Sequence, residues 1–305
     1  MKHMWDAGHS IPDRQHIGAS ERPAVGPGEN VAAGPRARVR LKLTIAYDGT
    51  GYEGWQIQKI GLGVQQRIEE ALARLFPSHP RVHGSSRTDA GVHAAGLVAH
   101  LDVPRDEWRM TGAKLRLAIN AHLPEDIRVL SAARCRPSFH ARFDAVRKQY
   151  RYLVWNHPAM NPLWRHQAWH VPRPLDAAAM HAAASSLVGR RNFQSFTANP
   201  GYARASSVRT VFRCDVRRHG PLLTFIIEAD GFLYKMCRGI VGTLVQVGLG
   251  KIRPSDMSGI LESRDRRVAG MTAPAHGLVL WKVTYGRKAR PGRSDSGRGF
   301  ARARI

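Results

Sequence analysis

The segment Gly84-Ser85-Ser86-Arg87-Thr88-Asp89-Ala90-Gly91-Val92-His93-Ala94 places one carboxylate two residues after an arginine, in a turn-forming Asp-Ala-Gly step between two strand-like runs. A carboxylate raised on a turn beside a guanidinium is a poised anion, suited to nucleophilic attack or acid–base work. Gly91 permits a backbone conformation that other residues resist. Asp89 also has a plainer use, because an Asp in such a step can close an Asx turn on its own backbone. What separates the two uses is the rest of the chain.

Other chemistries lack their parts. The sequence holds neither a Walker A run nor an HExxH, so phosphoryl transfer and zinc hydrolysis are not indicated. Cys135, Cys214 and Cys237 are scattered, with no CxxC or CxxH spacing, which argues against a zinc site or a disulfide framework. No metal and no cofactor are expected. A lone carboxylate can still attack an anomeric carbon, as retaining glycosidases do, and this leaves chemistry on a sugar or a base.

Charge points to the partner. The 305 residues carry 47 Lys+Arg against 23 Asp+Glu, a net +24. Only +1 of this belongs to residues 1–38 and +6 to residues 287–305, leaving +17 for the stretch between. The basic character is therefore expected on the folded part, where phosphate neutralisation and counterion release favour nucleic acid. No apolar run approaches the ~20 residues of a membrane span. No secretion signal is visible either, so the cytoplasm is the expected location.

The elements that must position Asp89 can be read from periodicity. Residues 1–38 lack hydrophobic periodicity and are rich in Gly, Pro and Ala, and so read as a disordered extension; 287–305 read as a flexible basic tail. Val39, Leu41, Leu43, Ile45 and Tyr47 alternate with Arg40, Lys42 and Thr44, predicting a strand. Val64, Ile68, Ala71, Leu72 and Leu75 recur at helical spacing up to Phe76-Pro77. Strands at 81–86 and 94–103, a helix at 111–121 and a strand at 127–134 complete a β-α-β-β-α-β order. The second half repeats it, with strands at 148–155, 210–217, 222–229 and 278–285 and helices at 174–188 and 234–248. The expectation is α+β: two ferredoxin-like halves, 39–147 carrying the Asp89 loop and 148–286, whose sheets border a central basic cleft.

Arg87-Thr88-Asp89-Ala90-Gly91-Val92-His93-Ala94 resembles the signature of the TruA-type tRNA pseudouridine synthases. Further stretches are similar to that family and stand in its order. They are Tyr47-Asp48-Gly49-Thr50 with Gly54-Trp55-Gln56, Ser138-Phe139-His140-Ala141-Arg142-Phe143, Tyr150-Arg151-Tyr152, Arg209-Thr210, Phe232-Leu233-Tyr234-Lys235-Met236-Cys237-Arg238 with Ile240-Val241-Gly242, and Gly277-Leu278. The resemblance spans roughly residues 39–285. It departs at Ser86, where the family has Gly directly before the Arg, and at Cys237, where Val is common.

The resemblance implies a cofactor-free isomerase. Asp89 would be the nucleophile that frees uracil from its ribose, through C1′ attack or a glycal route, before the base turns and rejoins through C5. Tyr150 would stack on the uracil and help remove the C5 proton, although by itself it reads as a sheet aromatic packed with Tyr152. Arg87 would contact the RNA and hold the target nucleotide out of its stack, which costs a few kcal/mol. Arg238 would pair with Asp89. His93 and His140 are read as structural or RNA-contacting. The implied substrate is the anticodon stem-loop of tRNA at positions 38–40, bound by a homodimer. A non-catalytic RNA-binding protein with paired RRM-like sheets is the alternative, although RNP-type aromatic segments are not apparent. A metal-dependent nuclease would want clustered acidic ligands that the sequence lacks.

Overall fold

The computed structural model describes residues 37–198 and 206–286; the expected extension up to Arg36 and the basic tail at 287–305 lie outside them. In the first half come β1 (Arg38–Tyr47), α1 (Val64–Ala73), β2 (His83–Gly84), β3 (His93–Pro104), α2 (Gly112–Asn120) and β4 (Ile127–Arg134). This is the expected β-α-β-β-α-β order. Val39, Leu41, Leu43, Ile45 and Tyr47 of β1 are all buried, so the period-2 pattern marks the core face as it should. Val64, Ile68, Ala71 and Leu72 bury one side of α1 against it.

The second half runs β5 (Ala145–Trp155), β6 (Trp169–His170), α3 (Ala177–Ser185), β7 (Gly189–Asn192), β8 (Val208–His219), β9 (Leu222–Ala229), α4 (Met236–Gly248), α5 (Asp256–Ser263) and β10 (Leu278–Tyr285). The six expected elements are β5, α3, β8, β9, α4 and β10. Two short strands and α5 add to them; β6 and β7 are too short for alternation to register. The expected division after residue 147 falls inside β5. Helix α3 starts three residues later than Pro174 suggests, because Asp176 caps it by accepting a hydrogen bond from Ala179 N at 2.9 Å.

The two half-sheets expected to border a cleft are joined edge to edge. Ten strands form one sheet in the order β4-β1-β3-β10-β5-β9-β8-β7, with β2 on β3 and β6 on β5. The seam is the parallel pairing of β10 with β3, at Val279 with His93 and Leu280 with Ala94. Those β3 residues follow Asp89 by only four and five positions, so the join of the halves and the candidate carboxylate share one neighbourhood. Among the described residues no helix is long and apolar enough to cross a membrane.

On the other face of the first half, the 136–144 loop is pinned across the sheet. Arg40 holds Asp102 through Nε at 2.7 Å and Nη2 at 2.6 Å, and donates Nη1 to the Phe139 carbonyl at 2.8 Å. Buried His100 accepts from Ala141 N at 3.2 Å through Nδ1 and lies between the His83 and His140 rings, at 5.0 and 4.6 Å. Burial, with the charges of His140, His83 and Arg40, pushes the His100 imidazole down to about 4.

The unfolded chain therefore binds a proton at His100 between about pH 6.5 and 4 that the native state refuses, and stability falls as pH drops through that window. The effect is at most about 3 kcal/mol. His100→Asn, whose Oδ1 can take the Ala141 N–H, should flatten this part of the acid limb in urea unfolding at pH 7, 5.5 and 4. An unchanged pH slope in the variant would contradict the assignment.

Candidate active site

Asp89 stands on the turn between β2 and β3, and the chain before it is fixed residue by residue. Ser85 N donates to Val98 O at 2.7 Å, which keeps the segment docked on β3 just past β2. The Thr88 hydroxyl is 2.8 Å from the Tyr47 hydroxyl, and Thr88 O accepts from Trp55 N at 3.2 Å. The turn then closes through Val92 N to Asp89 O at 3.2 Å, so Asp89 does shape a turn, with its backbone carbonyl. Its carboxylate is left for other work. Gly91 takes φ +75° and donates its N–H to Tyr52 O at 3.1 Å.

The run Gly49-Thr50-Gly51-Tyr52-Glu53-Gly54 after β1 has the glycine spacing of a dinucleotide-binding turn, but its surroundings are wrong for one. β1 is antiparallel to both of its neighbours, and no helix follows until Val64. The run seats the Asp89 loop instead. Gly54 has φ +92°, and a Cβ there would overlap the Thr88 carbonyl oxygen and stand 3.0 Å from the Asp89 carbonyl carbon. Nearby, His93 Nδ1 accepts from Gly49 N at 3.0 Å, so Nε2 carries the proton shared with His276 O at 2.9 Å. His93 thus ties three loops together and is committed to structure.

The partner of Asp89 comes from the other half of the chain. Arg238 Nη1 donates to Asp89 Oδ2 at 3.0 Å, with the two side chains only 14% and 22% exposed. Arg238 is itself clamped: its Nε donates to Ala273 O at 2.7 Å, and Ala273 N donates to Arg238 O at 3.0 Å. One turn further along α4, Thr243 Oγ1 donates to Gly239 O at 2.8 Å and accepts from Gly270 N at 2.9 Å, holding the loop at 270–273 against the helix. Lys235, at φ +57°, turns the chain sharply into α4. The guanidinium therefore reaches Asp89 already oriented. Asp89 Oδ1 has no hydrogen-bond partner among the described residues.

Tyr150 projects from β5 into this neighbourhood and is 7% exposed. Its ring meets Phe232 edge-on at 4.9 Å and an interplanar angle of 81°. Burial raises its phenol far above the ordinary range, with the nearby Cys237, Tyr47 and Asp89 adding to the effect. Burial likewise pushes the Cys237 thiol well up, so the departure at that position puts a neutral apolar group beside the pair. Tyr152, two residues on, donates to Pro274 O at 2.8 Å and belongs to the core. Arg87 is exposed at the edge of the group. His140 lies apart, accepting from Arg142 N and Phe143 N at 3.2 Å each.

Of the four residues singled out from sequence, Asp89, Arg238 and Tyr150 converge, and Arg87 flanks them in solvent. Sequence reasoning missed the supports: Thr88 held by Tyr47, Gly54 under the loop, the Ala273 carbonyl and Phe232 against Tyr150. Gly54 and Phe232 stand within the family-like stretches, and that was their only signal.

Residues 43–144 and 183–286 match the family model described as tRNA pseudouridine synthase. The chain is 44% identical over 249 residues to the tRNA pseudouridine synthase A of Methylacidiphilum infernorum, covering 82% of this chain and 96% of that one. It is 47% identical over 247 residues to the protein of that name from Methylobacterium sp. strain 4-46, covering 81% and 97%. A Thermoanaerobacter sp. protein, again tRNA pseudouridine synthase A, shares 41% over 245 residues, 80% and 99% of the two chains.

The seating of the loop makes Gly54→Ala a test of the site's foundation. It should lower the urea midpoint by the equivalent of roughly 1–3 kcal/mol, through a strained backbone and the displaced Thr88 carbonyl. A midpoint equal to that of the parent protein would show that the loop does not depend on this contact.

Proposed function

The chain belongs to the tRNA pseudouridine synthase family, and from that premise we propose that Asp89 is the nucleophile by which it isomerises uridines in the anticodon stem-loop of tRNA, at positions 38–40. Membership itself makes the protein an RNA-modifying isomerase that converts uridine in tRNA to pseudouridine. The observation that carries the assignment is that Arg238 takes one oxygen of Asp89 and, among the described residues, leaves Oδ1 without a hydrogen-bond partner, on a turn held through Thr88 and the Asp89 carbonyl.

The reaction breaks the C1′–N1 bond, makes a C1′–C5 bond and moves one proton from C5 to N1 through solvent or a side chain. No electrons are gained or lost. Oδ1 of Asp89 takes up the electron-poor ribose, and Arg238 supports the carboxylate as its charge moves on and off. The buried phenol of Tyr150 holds its proton, which favours a stacking and donor role under the uracil over that of a resting base. Arg87, exposed beside the turn, is placed for a phosphate of the flipped nucleotide. A homodimer in which one tRNA touches both subunits is part of the same proposal; sedimentation of the free protein as a monomer at micromolar concentration would remove it.

Incubation with tRNA tritiated at uracil C5, without added metal, should release label. Asp89→Asn should abolish release while tRNA binding stays within a few-fold. Arg238→Met should slow release on the order of 10²-fold or more, chiefly in kcat. Replacing the uridines at 38–40 should remove the label-releasing positions. Full activity of Asp89→Asn would refute the role of the carboxylate, and release from tRNA lacking those uridines would refute the site.

A further inference from the structure

The face of β5 that carries Tyr150 and Tyr152 also carries Lys148, two residues earlier, and a lysine in that position is out of keeping with the buried aromatic face it belongs to. Its side chain is mostly withdrawn from solvent. Nζ donates to the backbone carbonyl of Ser85 at 2.6 Å. Ser85 is fully buried, bonded to β3 through its own N–H and through Oγ, which accepts from Val98 N at 3.3 Å. Burial, with the Arg142 charge behind it, brings the amine down to about 8. Opposite it on β9 stands Ala229, and the neighbouring Glu228 pairs with Gln149 and is bonded by Arg147 and Gln149. Drawing a cation partly out of water is costly, and one backbone carbonyl is a modest return unless the position of that carbonyl matters.

The position does matter. Ser85 opens the five-residue segment that ends at Asp89. Arg238 grips the end of that segment and Lys148 grips its start, so two cations of the second half reach across to a segment that is also bonded to the first half through Val98, Tyr47 and Trp55. Lys148 also fixes the segment relative to Tyr150, its neighbour on the same face. Between the two lies Ser86, whose buried hydroxyl has no hydrogen-bond partner of good geometry among the described residues and sits beside the Tyr150 phenol.

We propose that Lys148 is a positioning residue for the isomerisation: by holding the Ser85 carbonyl it sets the spacing between the Asp89 carboxylate and the Tyr150 ring, and so the fit of the flipped uracil between them. The inference rests on the reading of Asp89 as nucleophile. Lys148 touches no reacting atom, so its removal should act on kcat and leave the basic surface that binds tRNA as it was.

The experiment is tritium release by Lys148→Met and Lys148→Arg with unmodified tRNA, alongside the parent protein and Asp89→Asn. Lys148→Met should lower kcat at least about 10-fold with KM and tRNA affinity within about 2-fold. Lys148→Arg, which keeps a charged donor, should recover most of that loss. The proposal is overturned if folded Lys148→Met keeps kcat within 2-fold, if its loss lies in KM, or if Lys148→Arg is no better than Lys148→Met. Should Lys148→Met fail to fold, Lys148→Gln replaces it under the same criteria. If the parent releases no label, or Asp89→Asn releases it fully, the underlying reading fails instead, and the two failures are thereby told apart.

Discussion

A single ion pair, Asp89 with Arg238, joins residues 149 positions apart and decides where both halves of the molecule must stand. Both groups are mostly withdrawn from water, so losing one partner would leave the other charge poorly compensated. The pair is therefore a demand on the fold as much as a product of it. Arg238 is met by the Ala273 carbonyl before it meets Asp89, and Asp89 is raised on a turn fixed through Thr88 and its own carbonyl. What remains flexible in charge terms is one carboxylate oxygen.

The sheet supplies the frame for that demand. Because β10 lies between β3 and β5, the strand leaving the Asp89 turn and the strand bearing Tyr150 are separated by one strand, and the loop before β10 carries Ala273. The groups closest to the pair are kept neutral by burial: the phenol of Tyr150 and the thiol of Cys237 both hold their protons. A guanidinium and a carboxylate facing one another among neutral groups interact more strongly than they would in water. That same environment suits a neutral base such as uracil, while Arg87 stays on the outside, exposed to solvent.

The element order was open to reading because each main element carries its own periodicity. β4, β9 and β10 lie where alternation places them, and α4 runs from Met236 within the stretch expected to be helical. What escaped was either too short to alternate, as with β6 and β7, or dependent on contacts. The seam of the two half-sheets is a two-residue parallel pairing, and no local pattern distinguishes an edge that stays open from one that meets another edge. The glycine run after β1 shows the opposite hazard, since its spacing is that of a nucleotide-binding turn and its use is to let one loop lie on another.

The sequence by itself determined the two β-α-β-β-α-β halves, the basic character of the chain between its ends, and the identity of Asp89, Tyr150, Arg87 and Arg238 as residues of interest. These are local properties, or properties of order along the chain. Only the tertiary structure decided that Arg238 grips one carboxylate oxygen, that His93 and His100 are committed to structure, and that Lys148 reaches the Ser85 carbonyl. The reason is physical: what a charged or hydrogen-bonding group does depends on which partner comes within about 3 Å and how much water is excluded there. Both are set by residues far away in sequence, and both exist only once the halves have closed on each other.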